Sequence, residues 1–304
     1  MPTMDNLTPS GAYPNAAQPY SERMAKLLQR IDPAVQVGLE IGALCRPVVT
    51  PEMGAVHYVD HLTTEELCVK YADDADVDVA AIVEVRYVWG ERTLLEAVGD
   101  VRFDYVLASH VVEHVPDMVG WLREIAAVLR PSGVLSLAIP DKRFTFDARR
   151  ELTTFASLVE AHFSGRRRPG FREILDHHAN AVAVPGQVSA QALWRKEVNV
   201  ADLPPAHAGL LSDLGEAGLR RYFEQILNGA YMDVHVNVFT PESWLRLLQN
   251  LATAGMLDFR VVHFCTTQQD GMEFFVSLEK MPEGGSTGER RAAILESVAR
   301  WLPD

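Results

Sequence analysis

Two carboxylates about 20 residues apart are the side chains with the clearest chemical implication. Glu40 lies near the end of one apolar segment and is followed by Gly42, and Asp60 comes directly after the next apolar segment. A glycine after a strand lets a ligand approach backbone amides, and a carboxylate at the tip of the next strand can accept hydrogen bonds from two ribose hydroxyls. The spacing therefore predicts an adenosine site. The alternative is that Glu40 is a capping or surface carboxylate and Asp60 a turn residue.

Four further side chains are candidates for proton transfer. His110 and His114 follow the apolar segment that begins at Phe103, and an imidazole with its ordinary pKa near 6.5 can act as a general base near neutral pH. Under the alternative interpretation each of them only orients a loop by hydrogen bonding. His178 and Asp141 are the other candidate bases.

Metal ligation is the weaker interpretation of another group of residues. Asp176, His177, His178 and His235 include ligand types that bind zinc or iron. The adjacent histidines, however, would point in different directions on a helix. We therefore expect no metal site.

The elements that must position these groups follow from the hydrophobic pattern. The segment 103–141 predicts a strand, a helix that Asp117 can cap, a turn at Pro131-Ser132-Gly133 with Gly133 left-handed, and a second strand. Such a unit places its two strands in parallel with a right-handed crossover, and ligands of such sheets bind beyond the carboxyl ends of the strands. Ser109, His110 and Asp141 would lie at that edge.

The rest of the chain extends this pattern. Earlier strands are predicted at 35–41, 55–59 and 80–85, and two final strands at 259–265 and 273–278 are close enough to form an antiparallel hairpin. The intervening stretch is mostly helical, with one amphipathic helix predicted at 219–227, and has a loop-like middle at Val184-Pro185-Gly186. It ends before a helix that Thr240 would cap, with Pro241 in the first turn. A last amphipathic helix is predicted at 288–301.

Several short motifs together resemble those of the class I S-adenosylmethionine-dependent methyltransferases. Leu39-Glu40-Ile41-Gly42 is similar to the first motif of the family, and Asp60 is similar to its ribose-binding acid. Phe103-Asp104-Tyr105-Val106, Val112-Glu113-His114-Val115 and the turn that begins at Leu129-Arg130-Pro131 resemble later motifs. The resemblance covers residues 35–141 and 240–280.

This resemblance implies a fold and a domain organisation. The expected fold is α/β, a Rossmann-like seven-stranded, mostly parallel sheet with an antiparallel final hairpin and a helical cap insertion. Residues 1–34 would form an N-terminal arm with a candidate lid helix, and residues 35–280 the cofactor-binding domain. The cap would be inserted at 142–235, and residues 281–304 would form a C-terminal helix.

The resemblance also implies S-adenosyl-L-methionine as the cofactor. The positions that would contact it are Glu40, Gly42, Ala43, Asp60, His61, Val85, Ser109 and His110. The chain departs from the family in one place, because the glycine-rich loop is reduced to Gly42 and continues as Ala43-Leu44-Cys45-Arg46-Pro47. Side chains therefore occupy the loop along the expected path of the methionine half of the cofactor. Arg46 is a candidate partner for its carboxylate.

Length and charge restrict the class of function. The chain has 304 residues and a formal net charge of −13 at pH 7, which disfavours nucleic-acid binding because acidic surfaces repel phosphates. No run of about 18 apolar residues occurs, so no membrane span is expected, and the first residues lack the features of a signal peptide. Three widely separated cysteines indicate a reduced, cytoplasmic protein. The oligomeric state is not specified.

Three functions are compatible with these observations. The leading hypothesis is a methyltransferase that acts on a small-molecule metabolite by in-line transfer, in which positioning and exclusion of water supply most of the acceleration. The second is a lyase or cyclase that uses S-adenosylmethionine itself as substrate, cyclises its aminobutyrate moiety and releases methylthioadenosine; the altered glycine loop motivates it. The third is a non-catalytic binding protein with a degenerate cofactor site, against which Glu40 and Asp60 argue.

Overall fold

A seven-stranded sheet organises the computed structural model, which describes residues 20–182, 189–207 and 209–303. The strand order is β3-β2-β1-β4-β5-β7-β6. The strands are β1 (Gly38–Ile41), β2 (Val56–Asp60), β3 (Val85–Val88), β4 (Phe103–Ser109), β5 (Leu129–Pro140), β6 (Phe259–Cys265) and β7 (Glu273–Lys280). The pairs among β1 to β5 are parallel, and β7 pairs antiparallel with both β5 and β6. This confirms the predicted Rossmann-like α/β fold with an antiparallel end.

Helices cover the sheet and form the insertion between β5 and β6. They are α1 (Tyr20–Leu27), α2 (Thr64–Lys70), α3 (Leu94–Val98), α4 (Met118–Val128), α5 (Phe155–Phe163), α6 (Phe171–Asn180), α7 (Ala190–Trp194), α8 (Leu210–Leu227), α9 (Pro241–Thr253) and α10 (Thr287–Ala299). Two predicted caps are confirmed: Asp117 accepts a hydrogen bond from the Gly120 amide, and Thr240 caps α9 with Pro241 in its first turn. None of the described helices has the length and apolar character needed to cross a membrane.

Strand β4 shows why the sheet needs cover on both faces. Its Val106 and Ala108 belong to the main hydrophobic core with α4, α9 and α10, whereas Tyr105 and Leu107 belong to a second core with Leu27 of α1. Alternate residues of a strand point to opposite faces, so a strand covered on both sides is apolar throughout. The burial of β4 explains the continuous apolar run in the sequence.

Helix α1 belongs to this packing layer. Leu27 is 1% exposed, and its carbonyl accepts a hydrogen bond of 2.6 Å from Ser136 Oγ in β5. Arg23, one turn earlier, reaches the carboxyl edge of β4. The helix is therefore anchored on a face of the sheet, and its role as a lid stays a prediction. Residues 1–19 of the predicted arm lie outside the described residues.

The third strand was predicted too early in the chain. Asp78 accepts a hydrogen bond from the Ala80 amide and starts a 3₁₀ turn at Val79–Ala81, and the strand begins only at Val85. An aspartate that bonds to the amide two residues on favours a turn over a strand. The predicted strand 80–85 is therefore wrong in position, although β3 exists and pairs with β2.

Two local predictions about glycine and helix length also need correction. In the turn before the buried part of β5, the left-handed residue is Ser132, with φ 60°, and not Gly133. A Cβ at Gly133 would lie 2.9–3.1 Å from three neighbouring atoms, so close packing is what requires glycine there. Helix α8 begins at Leu210, well before the predicted amphipathic stretch at 219–227, and it is interrupted at Gly215.

The insertion has two small cores of its own. One contains Val182, Leu193 and Leu203, and the other contains Ile174 and Tyr222 together with Val234. Helix α5 instead packs on α4 and α9 through the main core. The predicted loop at Val184-Pro185-Gly186 lies outside the described residues. Most of the insertion is thus a separate small layer attached to the sheet domain.

Gly38 provides a test of the packing around β1. A Cβ at Gly38 would lie 2.0 Å from Cζ of Tyr105, so we expect Gly38→Ala to lower the free energy of unfolding by about 2–3 kcal/mol. The control is Gly288→Ala in the first turn of α10, where the nearest atom would be 4.0 Å away. That change should leave stability unchanged or raise it by up to about 1 kcal/mol. Urea unfolding measures the free energy of unfolding of both variants. Equal values for Gly38→Ala and Gly288→Ala would contradict the close packing of Tyr105 against Gly38.

Candidate functional site

The strand order creates a crevice between β1 and β4. β2 and β3 lie on one side of β1, and β4 and the later strands lie on the other, so the chain reverses direction across the sheet at this point. Ligands of open α/β sheets bind at such a switch point, outside the carboxyl ends of the strands. Gly42 follows β1 with φ 66°, and a Cβ there would lie 3.3 Å from Val111 Cγ2 in the segment after β4. The missing side chain keeps the crevice open.

Glu40 supports the loop that follows β1. It is 2% exposed, and its two carboxylate oxygens accept hydrogen bonds from the amides of Val48 (2.7 Å) and Val49 (3.1 Å). Burial raises the pKa of Glu40 to about 7, even though these bonds and Arg23 act in the opposite direction. The carboxylate therefore closes the loop, and its predicted direct contact with a cofactor stays a prediction.

The loop itself is built without the additional glycines. The Ala43 carbonyl accepts a hydrogen bond from the Arg46 amide, and Leu44 takes the left-handed conformation with φ 47°. The Arg46 guanidinium donates to the carbonyl of Asp76. Arg46 is thus engaged with the loop before β3. Side chains occupy the region that the family leaves to glycine.

Asp60 ends β2 beside this loop. Its Oδ1 accepts a hydrogen bond of 2.7 Å from the His61 amide and lies 2.5 Å from Nδ1 of the same residue. Both contacts use Oδ1, and a carboxylate has further acceptor capacity at Oδ2 for a ligand hydroxyl. Val85 begins the neighbouring strand, where its amide donates to Thr64 Oγ1. The positions predicted to contact a cofactor thus follow or begin adjacent strands.

A charged network joins the ends of β4 and β7. Arg23 of α1 donates to both carboxylate oxygens of Glu273, at 2.7 and 2.9 Å, and to Ser109 Oγ at 2.6 Å. His110 Nε2 lies 2.9 Å from Glu273 Oε2. Burial raises the pKa of Glu273, but the hydrogen bonds and charges of His110 and Arg23 outweigh it and lower the pKa to about 2. Glu273 therefore orients the side chains of both Arg23 and His110.

Sequence reasoning missed Arg23 and Glu273. Glu273 is a charged residue at the start of β7, directly before an apolar run, and that contrast was the available signal. Arg23 carries no comparable signal, because its partners lie 86 and 250 residues away in the chain.

A second cluster adjoins the turn after β4. His114 Nδ1 lies 2.8 Å from Asp233 Oδ1, and His235 Nδ1 lies 2.5 Å from Asp147 Oδ2. Their rings are 4.7 Å apart and nearly perpendicular. Burial lowers the pKa of His114, but the hydrogen bond and charge of Asp233 raise it to about 9 overall. This raised pKa favours the protonated form of His114 near neutral pH, and its role as a general base stays a prediction.

The other two predicted bases are engaged elsewhere. The buried carboxylate of Asp141 accepts hydrogen bonds from Arg143 and from Thr267 Oγ1. His178 is 3% exposed, and its Nε2 lies 2.9 Å from the hydroxyl of Tyr222 in the insertion. Burial lowers the pKa of His178 to about 4. These contacts give Asp141 and His178 structural roles, and their catalytic roles stay predictions.

The part of the chain that carries β1 to β5 matches a known domain family. The match is to the sequence model described as methyltransferase domain and covers residues 19–182, more than half of the chain. The chain belongs to the methyltransferase domain family. This assignment confirms the resemblance to the class I S-adenosylmethionine-dependent methyltransferases and identifies the chain as a member of a transferase family.

Similar solved structures include three methyltransferases at low sequence identity. CcbJ of Streptomyces caelestis is 20% identical over 42% of this chain and 56% of its own, with a TM-score of 0.29. The N-methyltransferase NodS of Bradyrhizobium japonicum is 13% identical over 87% of this chain and 98% of its own, with a TM-score of 0.38. Magnesium protoporphyrin IX methyltransferase of Synechocystis is 10% identical over 86% of this chain and 81% of its own, with a TM-score of 0.36. The search of curated proteins found no significant match.

The raised pKa of Glu40 predicts a pH dependence of stability. The unfolded carboxyl has a pKa near 4.5 and the folded one about 7, so the contribution of Glu40 is fully present below pH 4.5 and falls as the pH rises to 7. We expect the wild-type free energy of unfolding, relative to Glu40→Gln, to fall by roughly 3 kcal/mol across this window. Urea unfolding at several pH values measures the difference. The exposed Glu289→Gln serves as the control and should show no such fall.

Glu273 predicts a large effect on stability. We expect Glu273→Gln to lower the free energy of unfolding by about 2–3 kcal/mol, because Arg23 loses a buried charged partner. Glu242→Gln removes an exposed ion pair with Arg246 and should cost less than about 0.5 kcal/mol. Equal losses in the two variants, measured by denaturant unfolding, would show that the buried network contributes no more than a surface pair.

Proposed function

We propose that this chain is an S-adenosylmethionine-dependent methyltransferase that acts on a small-molecule acceptor. The observation that carries the proposal is the crevice at the switch point, where Gly42 follows β1 and Asp60 and Ser109 end the adjacent strands β2 and β4. These residues fit the cofactor, since Gly42 has no side chain to fill the crevice beside Val111 and Asp60 has acceptor capacity for ribose hydroxyls.

The residues around the crevice would bind different parts of the cofactor. When bound, S-adenosylmethionine supplies an electrophilic methyl group on a cationic sulfur, and its transfer leaves S-adenosylhomocysteine while the acceptor gives up a proton. Asp60 would bind the ribose, with His61 and Val85 beside it. Ala43 would contribute backbone contacts in the loop that Glu40 supports.

His110 is the residue we propose on the acceptor side. It directly follows Ser109 at the end of β4, and Glu273 fixes its ring through Nε2. Its backbone has φ 54°, a conformation that costs free energy in residues other than glycine and that occurs often at functional sites. In this position His110 would orient the acceptor and receive its proton, with positioning as the main source of acceleration.

The insertion favours a small acceptor over a polymer. Its arginine run at 166–168, the local exception in an acidic chain, is occupied by internal contacts: Arg166 pairs with Glu173, and Arg168 pairs with Glu91. A phosphate backbone would have to displace these pairs. We therefore propose an enclosed small-molecule substrate, no nucleic-acid partner and, from the separated cysteines, a cytoplasmic location.

Binding of S-adenosylhomocysteine tests the cofactor assignment. We expect the wild-type chain to bind it in calorimetry and Asp60→Asn to bind about 10- to 100-fold more weakly, because charged hydrogen bonds to the ribose are lost. The control is Asp258→Asn, an exposed carboxylate that precedes β6 at the opposite edge of the sheet. A wild-type chain that binds no S-adenosylhomocysteine would refute the proposal.

Product analysis separates transfer from the other outcomes. With labelled S-adenosylmethionine and a set of candidate metabolites, methyl transfer gives S-adenosylhomocysteine and a labelled acceptor. Methylthioadenosine formed from the cofactor alone would instead show internal displacement. Binding without any product across a broad set of acceptors would support a non-catalytic role.

A further inference from the structure

Glu113 is a buried carboxylate whose oxygens accept no hydrogen bond. It is 0% exposed, and neither Oε1 nor Oε2 has a hydrogen-bonding partner among the described residues. Among the ion pairs of the described residues, the nitrogen nearest to Oε1 is His110 Nδ1, at 3.5 Å, which is too long for a good hydrogen bond. A buried carboxylate without hydrogen-bond donors costs several kcal/mol, and a bound cation would offset this cost.

Two histidines lie beside this carboxylate. One ring nitrogen from each of His114 and His235 and one oxygen of Glu113 all lie within 4.8 Å of one another. Ligands of one ion, each about 2.0–2.2 Å from it, lie within about 4 Å of each other, so a small rotation of the side chains would bring all three onto one ion.

The second nitrogen of each ring is held by an aspartate. Asp233 binds Nδ1 of His114, and Asp147 binds Nδ1 of His235, which would leave Nε2 as the coordinating nitrogen in both. Histidines that bind metals usually donate their other nitrogen to a carboxylate, which fixes the tautomer and the ring orientation. Asp147 is itself held by Arg150 at 2.9 Å. The outer contacts of a metal site are therefore built into the fold.

We propose that Glu113, His114 and His235 bind one divalent first-row transition metal ion. Two imidazoles and one carboxylate form the ligand set of zinc enzymes that keep a fourth position open, and the same set serves iron sites. Zn²⁺ matches the set best because it accepts these three ligands without a redox partner. The site differs from the sequence expectation, which considered His235 with residues 176–178 and predicted no metal.

The location of the site suggests what its open position would hold. His110, which contacts both Glu113 and Glu273, lies between the metal ligands and the end of β4. Val111, the next residue, approaches Gly42 across the crevice. An acceptor oxygen or nitrogen would then be the fourth ligand. This last step rests on the proposed function, whereas metal binding itself does not.

Metal content and titration of the full chain test the proposal. We expect the purified protein to bind one equivalent of Zn²⁺ or Co²⁺, and Glu113→Gln and His235→Gln to weaken binding at least about 100-fold. Asp147→Asn should weaken it about 10- to 100-fold, as for other carboxylates that orient a ligating histidine. His263→Gln in β6 is the control and should bind like the wild type.

Two further measurements distinguish binding at this site from non-specific metal binding and from misfolding of the variants. Zn²⁺ should raise the thermal midpoint of the wild type and of His263→Gln but not that of Glu113→Gln, and circular dichroism checks that each variant folds. The absorption of bound Co²⁺ should change in His235→Gln relative to wild type. The proposal fails if the wild type binds none of Zn²⁺, Co²⁺, Mn²⁺ or Fe²⁺, or if folded variants bind them equally well. In that case, protonated histidines alone would balance the negative charge of Glu113.

Binding of S-adenosylhomocysteine keeps this proposal separate from the proposed function. The metal-free chain should still bind the nucleoside product, since Gly42 and Asp60 are not ligands of the ion. Nucleoside binding without metal binding would overturn only the metal site. Metal binding without nucleoside binding would support the metal site and overturn the methyltransferase proposal.

Discussion

One main-chain carbonyl joins the two halves of the site. The Glu113 carbonyl accepts hydrogen bonds from the amides of both Val236 (2.7 Å) and Asn237 (2.9 Å), and the Asn237 side chain donates to the Val115 carbonyl at 2.8 Å. These bonds fasten the end of the insertion to the turn after β4. Because they are largely buried, losing one would leave an unsatisfied polar group. The approach of His235 to the β4 turn depends on this attachment.

Buried acidic side chains connect separate elements of the fold at several positions. Glu40 holds the loop after β1, Glu273 links α1 to β4, and Asp141 connects the end of β5 to Arg143 and Thr267. A buried carboxylate is costly unless donors surround it, so each one fixes the position of the groups that it binds. The acidic composition of the chain therefore contributes to the site architecture as well as to the surface charge.

Local sequence signals predicted those parts of the fold that depend on neighbouring residues. The apolar runs predicted β4 and β5, and the capping residues Asp117 and Thr240 predicted where α4 and α9 begin. Both signals act within a few residues of the chain. The prediction for β3 failed because Asp78 forms a local turn that competes with the strand pattern. In the turn before β5, packing determined the choice of glycine, and packing does not appear in a local pattern.

The sequence by itself determined the family, the sheet and the spacing of Glu40, Gly42 and Asp60, because strand periodicity and loop length bring these residues to one edge. Only the tertiary structure decided their partners. His114 meets Asp233 across 119 residues, and Arg23 meets Glu273 across 250. Such contacts depend on how the chain returns from the insertion and on which face α1 covers. The spacing of residues along the chain encodes neither the return path nor the covered face. The tertiary structure was therefore needed to bring His235 to Glu113 and His114.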